Sequence, residues 1–178
     1  MPKIGTGVEA EVVARLRAAG LLIATAESTT GGLVGHRLAA VPGASSVLAG
    51  GITAYADEAK TRLLGVPEAV LAQHGSVSSE VATAMARGTR EAFGVSVTVA
   101  ETGIAGPSDS ETKPVGLYYL AAISPGCELA ERASFEGERA ETQWAASEAA
   151  LRLVLVCLDG ATAEPRISIS SAEGDQNV

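Results

Sequence analysis

Three stretches of the sequence hold residue types that can do chemistry. Pro42 to Lys60, PGASSVLAGGITAYADEAK, carries Ser45 and Ser46, then Tyr55, then Lys60. A serine hydroxyl is a useful nucleophile only beside a base. The chain has only two histidines, His36 and His74, and neither sits in a Ser-His-Asp pattern. A lysine can serve instead when its surroundings favour the neutral amine. Lys60 falls in the first turn of an expected helix, whose positive end disfavours an ammonium; Asp57 and Glu58 pull the other way if they face it. Tyr55 could relay a proton or orient the serine. The same residues also read as a surface lysine and a core tyrosine. The second stretch is AESTTGG, where Ser28, Thr29 and Thr30 offer hydroxyls and Gly31 and Gly32 let a ligand approach the backbone. A helix start follows, and its free N–H groups favour an anion. Neither a Walker lysine nor GxGxxG is present, so nucleoside triphosphate and dinucleotide binding are not indicated. An ordinary helix entry reads equally well. The third stretch is TGIAGP, with Thr102, Gly103 and Gly106. Arg139, at the start of the last helix, could reach a phosphate or carboxylate, or pair with a surface glutamate.

These residues need elements to hold them. Val8, Val12, Val13, Leu16 and Ala19 recur at helical spacing over 7–19, and Gly20 ends that helix. Residues 21–25 read as a buried strand, 33–41 as a helix stopped by Pro42-Gly43, and 50–55 as a strand. Asp57 is the expected N-cap of a helix through Leu64. Helices follow over 67–74 and 78–93, then a strand over 95–100. Residues 115–123 and 129–135 read as an antiparallel pair, and 138–158 as the final helix. Strands alternating with helices, then one hairpin, predict an α/β fold: a three-layer α/β/α sandwich with a mixed, mostly parallel sheet. Ligands in such sheets gather outside the carboxyl ends of strands. The AESTTGG and TGIAGP loops could therefore be opposite walls of one pocket. The domain is expected over 7–158, with a flexible polar tail over 159–178.

Composition narrows the function. The 178 residues are 47% hydrophobic, enough for a sizeable core, and only 3% aromatic, so that core is aliphatic. The net charge of −8 argues against nucleic-acid binding, which needs a basic face. No apolar run approaches the ~20 residues that span a bilayer, and the first residues lack a signal peptide's apolar stretch. Cys127 and Cys157 have no metal-ligand spacing and read as reduced structural thiols, which points to the cytosol. Only three of the 13 basic residues are lysines: Lys3, Lys60 and Lys113. Lys3 and Lys113 read as solvated charges. His36, His74, Tyr118, Tyr119 and Trp144 read as structural.

Taken together, AESTTGG, PGASS…GGITAYADEAKTRLLGV, AQHGSVSSEVATAMARG and TGIAGP…KPVG resemble the CinA C-terminal domain family over residues 8 to 157, in family order. The resemblance implies a nicotinamide mononucleotide deamidase without metal or organic cofactor. It matches Ser45, Tyr55 and Lys60 to the family's Ser–Tyr–Lys set, with Ser46 one register away. It also implies that Ser28, Thr30, Gly31, Gly32, Ser46, Thr102, Gly103, Gly106 and Arg139 line the nucleotide site. Thr29 replaces the family's usual cysteine, and the loop after Pro107 lacks the usual Gly-Gly pair. The expected partner is a small nucleotide, with no nucleic acid and no membrane; a homo-oligomer is an open guess. The competing reading is a nucleotide- or partner-binding protein without catalysis, and a third is hydrolysis of another small amide.

Overall fold

The computed structural model describes residues 4–106 and 113–162. Five strands form one sheet in the order β2-β1-β3-β4-β5. They are β1 (Ile23–Glu27), β2 (Leu48–Thr53), β3 (Val97–Gly103), β4 (Leu117–Ser124) and β5 (Cys127–Ser134). β1 pairs in parallel with β2 and β3, while β3–β4 and β4–β5 are antiparallel. Helices α1 (Val8–Ala19), α2 (Leu33–Ala39) and α6 (Arg139–Thr162) cover one face. α3 (Asp57–Leu64), α4 (Glu68–His74) and α5 (Ser79–Phe93) cover the other. This is the predicted three-layer α/β sandwich with a mixed sheet.

Local sequence accounts for the elements. Val8, Val12, Val13 and Leu16 are all buried on one stripe of α1. Gly20 then adopts a left-handed conformation, φ 65°, and its N–H closes the helix on Arg17 and Leu16 carbonyls. β1 is buried on both faces, as a central parallel strand must be, and holds Ile23, Ala24 and Ala26 in the core. Ser78 caps α5 by accepting from the Val81 N–H at 3.3 Å.

Some expectations shift. Asp57 is the first residue of α3 and Ala56 is its cap, so the Asp57 carboxylate is free to turn elsewhere. α6 runs on over 159–162, past the expected domain end. The rest of the expected tail, 163–178, lies outside the described residues, as does Lys3. Cys127 and Cys157 are joined in a disulfide, contrary to the reduced pair expected. β5 begins where α6 passes over the hairpin, bringing the two Cα atoms to 5.5 Å. A separation of 30 residues gave no hint of that encounter. Lys113 is no solvated charge either: its Nζ donates to the carbonyls of His74, at 3.1 Å, and Val77.

No helix among the described residues is long and apolar enough to cross a membrane.

Candidate active site

A cleft of about 320 Å³ opens at the carboxyl ends of β1 and β3. Ser28 and Thr29 follow β1 directly. Tyr55, Asp57 and Lys60 follow β2. Ser76 and Val77 come from the α4–α5 turn, residues 102–106 from the end of β3, and Arg139 from the start of α6. A larger groove, about 480 Å³, lies among α3, α4 and α5 but contains none of the residues singled out for chemistry. Its Arg87 is paired with Glu128 at 2.5 Å.

Lys60 is buried, 2% exposed, and its Nζ lies 3.1 Å from Asp57 Oδ1. Glu58 faces away and pairs with Arg62 at 3.4 Å. Burial raises the Asp57 carboxyl, but hydrogen bonds from Ser76 and Lys60, with the Lys60 charge, outweigh it and hold the group below its ordinary value. Tyr55 is 58% exposed, so it is not the core residue of the bland reading. Its phenol oxygen accepts from Arg139 Nη2 at 2.7 Å, which leaves the phenol proton free to donate. Arg139 Nη1 donates to the Gly106 carbonyl at 2.6 Å and so closes the TGIAGP wall. The walls are also stitched at Thr29. Its Oγ1 donates to the Gly103 carbonyl at 2.6 Å and lies 3.1 Å from the Gly103 N–H. Gln143 Nε2 donates to the Thr29 carbonyl at 2.7 Å. The Ser28 hydroxyl lines the cleft and has no hydrogen-bond partner among the described residues.

The expected serine is elsewhere. Ser45 and Ser46 sit in a 3-10 turn, Ala44–Ser46, just before β2. β2 runs parallel to β1, from Leu48 opposite Ile23 to Thr53 opposite Glu27. The turn is therefore at the amino edge of the sheet and the cleft at its carboxyl edge. Six residues at ~3.3 Å each separate them by roughly 20 Å. Ser46 Oγ is engaged with the Gly43 carbonyl, at 2.9 Å, and with Arg17 Nε. Within one chain, Ser28 rather than Ser45 shares the cleft with Tyr55 and Lys60.

The glycine-rich helix start is also not the anion site expected. The N–H groups of Gly32, Val34 and Gly35 donate to the Glu27 carboxylate at 2.8–2.9 Å. An internal anion already occupies the end of α2. Thr30 is buried and turns to the same carboxylate, Gly31 does not reach the cleft, and Gly32 lines a separate groove beside β2.

Sequence reasoning missed Ser76, Val77 and Gln143, and it missed the acids beneath the cleft. Glu27 and Glu101 are register partners on β1 and β3 and are 1% and 0% exposed. Burial pushes the Glu101 carboxyl up to about 7, with the Glu27 charge adding to it, against hydrogen bonds from Thr30 and Ser28. A signal existed: Glu27 closes β1 and Glu101 lies two residues before the end of β3, each between an alanine and a hydroxyl residue, Ala26-Glu27-Ser28 and Ala100-Glu101-Thr102. An acid at the same register in two neighbouring buried strands is a paired site.

The arrangement defines an α/β protein with a cleft outside the carboxyl ends of its parallel strands, where ligands of such sheets gather. The chain belongs to the CinA C-terminal domain family, whose profile matches residues 5–158. A CinA-like protein of Anaeromyxobacter dehalogenans is 50% identical over 149 residues, which is 83% of this chain and 36% of that protein. One from Gemmatimonas aurantiaca is 48% identical over 132 residues, 74% of this chain and 31% of that protein. The chain thus spans about a third of the length of these relatives. Among solved structures, a competence/damage inducible protein from Agrobacterium tumefaciens superposes with a TM-score of 0.82 at 34% identity, covering 89% of this chain and 99% of that one. A CinA-superfamily protein from Escherichia coli gives 0.81 at 30%, covering 83% and 87%.

Proposed function

We propose that this domain hydrolyses a carboxamide, releasing ammonia, and that its substrate is nicotinamide mononucleotide, as the family resemblance implies. One observation carries the chemistry: an unengaged serine hydroxyl, a buried lysine and a tyrosine with a free proton line one cleft. Serine–lysine pairs replace the serine–histidine pair in other hydrolases.

Ser28 Oγ attacks the amide carbon while Lys60 takes its proton, with Tyr55 placed to pass it on. The oxyanion falls to the Thr29 N–H, which has no partner among the described residues. The Ser28 N–H is unsuited to that task because it already donates to Glu101 at 2.7 Å. The carbon–nitrogen bond then breaks, and the amine leaves as ammonia with the returned proton. Water attacks the resulting ester, giving the carboxylic acid and restoring Ser28. Arg139, at the exposed rim, supplies the charge for the phosphate. The net charge of −8 suits a substrate with a pyridinium cation. The cytosol, where such a nucleotide is at hand, is the compartment this reading needs.

Ammonia release from nicotinamide mononucleotide tests the proposal. Ser28→Ala and Lys60→Ala should each lower kcat by about 10²–10⁴-fold. Ser45→Ala should leave it unchanged. Near-wild-type turnover in Ser28→Ala, or loss in Ser45→Ala, overturns the assignment. The Asp57–Lys60 bond favours a second reading, nucleotide binding without turnover, because the lysine needs a free lone pair to act as base. Calorimetric binding of the nucleotide with no ammonia released would select that reading. A panel of small amides separates the third.

A further inference from the structure

Below Ser28, two carboxyl groups meet with no cation bonded to either. Glu27 is well supplied: Oε1 accepts from Gly35 N–H at 2.8 Å and Thr25 Oγ1 at 3.3 Å. Oε2 accepts from Thr30 Oγ1 at 2.6 Å and from the Gly32 and Val34 N–H groups at 2.9 Å. Glu101 is not. Its Oε1 accepts from Ser28 N–H at 2.7 Å and Thr30 N–H at 2.9 Å, and lies 2.8 Å from Thr30 Oγ1. Its Oε2 is buried without a hydrogen-bond partner among the described residues.

The threonine hydroxyl has one proton for two carboxyl groups. Glu101 is fully buried and Glu27 nearly so, at the floor of the groove beside β2, so two full charges side by side would be poorly compensated. Glu27, with donors on both oxygens, is the one suited to the charge. Glu101, with one bare oxygen, is suited to the proton. Among the other titratable groups nearby, Lys60 of α3 is bonded to Asp57, and exposed His36 of α2 lines the groove beside Glu27 with no bond to it among the described residues. Tyr118 of β4 is itself pushed up to about 12 by burial. Arg139 of α6 is spent on Tyr55 and Gly106, and Arg37 of α2 on Glu9 and Glu148.

We propose that Glu101 is a positioning residue that holds the Ser28 loop as the neutral member of a carboxyl pair with Glu27, the two groups meeting at the Thr30 hydroxyl. Its carbonyl oxygen fixes the Ser28 and Thr30 amides together, and the orientation of the Ser28 side chain follows. Ionising Glu101 would put a second charge beneath the serine and strain the loop. The catalytic part of this role rests on Ser28 being the nucleophile; the neutrality of Glu101 beside Glu27 does not.

Three variants and two readouts test it. In carbon-13 glutamate NMR, wild-type protein should show one carboxyl still protonated near neutral pH, and Glu101→Gln should lack that signal. No such carboxyl, or its persistence in Glu101→Gln, overturns the assignment of the proton to Glu101. In turnover, Glu101→Gln keeps the acceptor and stays neutral, so it should stay within about threefold of wild type at pH 6. It should also lose the fall in kcat that wild type shows as pH rises through about 7. Glu101→Ala and Glu101→Leu remove the acceptor and should cut kcat on the order of 10²-fold with KM little changed. Equal loss in Gln, Ala and Leu variants, or none in Ala, overturns the positioning role. If Ala and Leu variants do not fold, the Gln profile and the NMR signal decide. If wild-type protein releases no ammonia, the proposed function fails. Labelling of Ser28 by a fluorophosphonate then replaces turnover, with the same ranking expected of the variants; equal labelling in wild type, Gln and Ala overturns the role.

Discussion

Two buried glutamates carry opposite pH signatures. Burial opposes the charge on Glu9, yet hydrogen bonds from its own N–H, Arg37, Gly5 and Gly7 lower its carboxyl from 4.5 to about 2. That group stabilises the fold above pH 4.5 and loses its effect as pH falls toward 2. Glu101 is raised from 4.5 to about 7, so its effect is full below pH 4.5 and is lost as pH rises to about 7. Thermal melts across this range should show both. Glu9→Gln should flatten the acid limb, and Glu101→Gln should raise the melting temperature relative to wild type above pH 7. At this scale the sequence was half legible. Tyr55, Lys60 and Arg139 declare themselves by type and place. Ser28 was expected as a ligand contact and Ser45, through the family resemblance, as the nucleophile; the structure puts Ser28 and not Ser45 in the cleft with Lys60. Glu101 was not read at all, since its importance comes from the register of β1 against β3.

Elements were read more surely than side chains. Helix and strand periods follow from burial along one stripe or face, so α1 and α5 fall where spacing and end residues put them, and α3 starts at Asp57, the residue expected to cap it. What periodicity does not contain is the close approach between elements. Gly103 ends β3 against the Tyr118 ring, and a Cβ there would overlap the ring. Tyr118 is fully buried and cannot swing away. Gly103→Ala should therefore destabilise the protein by about 1–3 kcal/mol in urea unfolding, as overpacking does. It should also lower turnover, because Gly103 carries both backbone bonds to Thr29.

For the whole molecule, the sheet has two unlike edges. The carboxyl edge of its parallel strands holds the cleft. The amino edge holds the Ala44–Ser46 turn and, beyond the β4–β5 hairpin, the Cys127–Cys157 disulfide. Long-range fastening of this kind leaves no mark in a sequence, which is why both cysteines were read as free. Reducing the disulfide, or Cys127→Ser with Cys157→Ser, should cost about 2–4 kcal/mol in denaturant unfolding. It should leave kcat within error, because the bond lies at the edge away from Ser28 and Lys60. The separation also has a practical side. Ser45 is exposed at the amino edge of the sheet, and the two native cysteines are taken up by each other. A Ser45→Cys variant would carry one reactive thiol, and immobilising the protein through it on a solid support would leave the cleft facing the liquid.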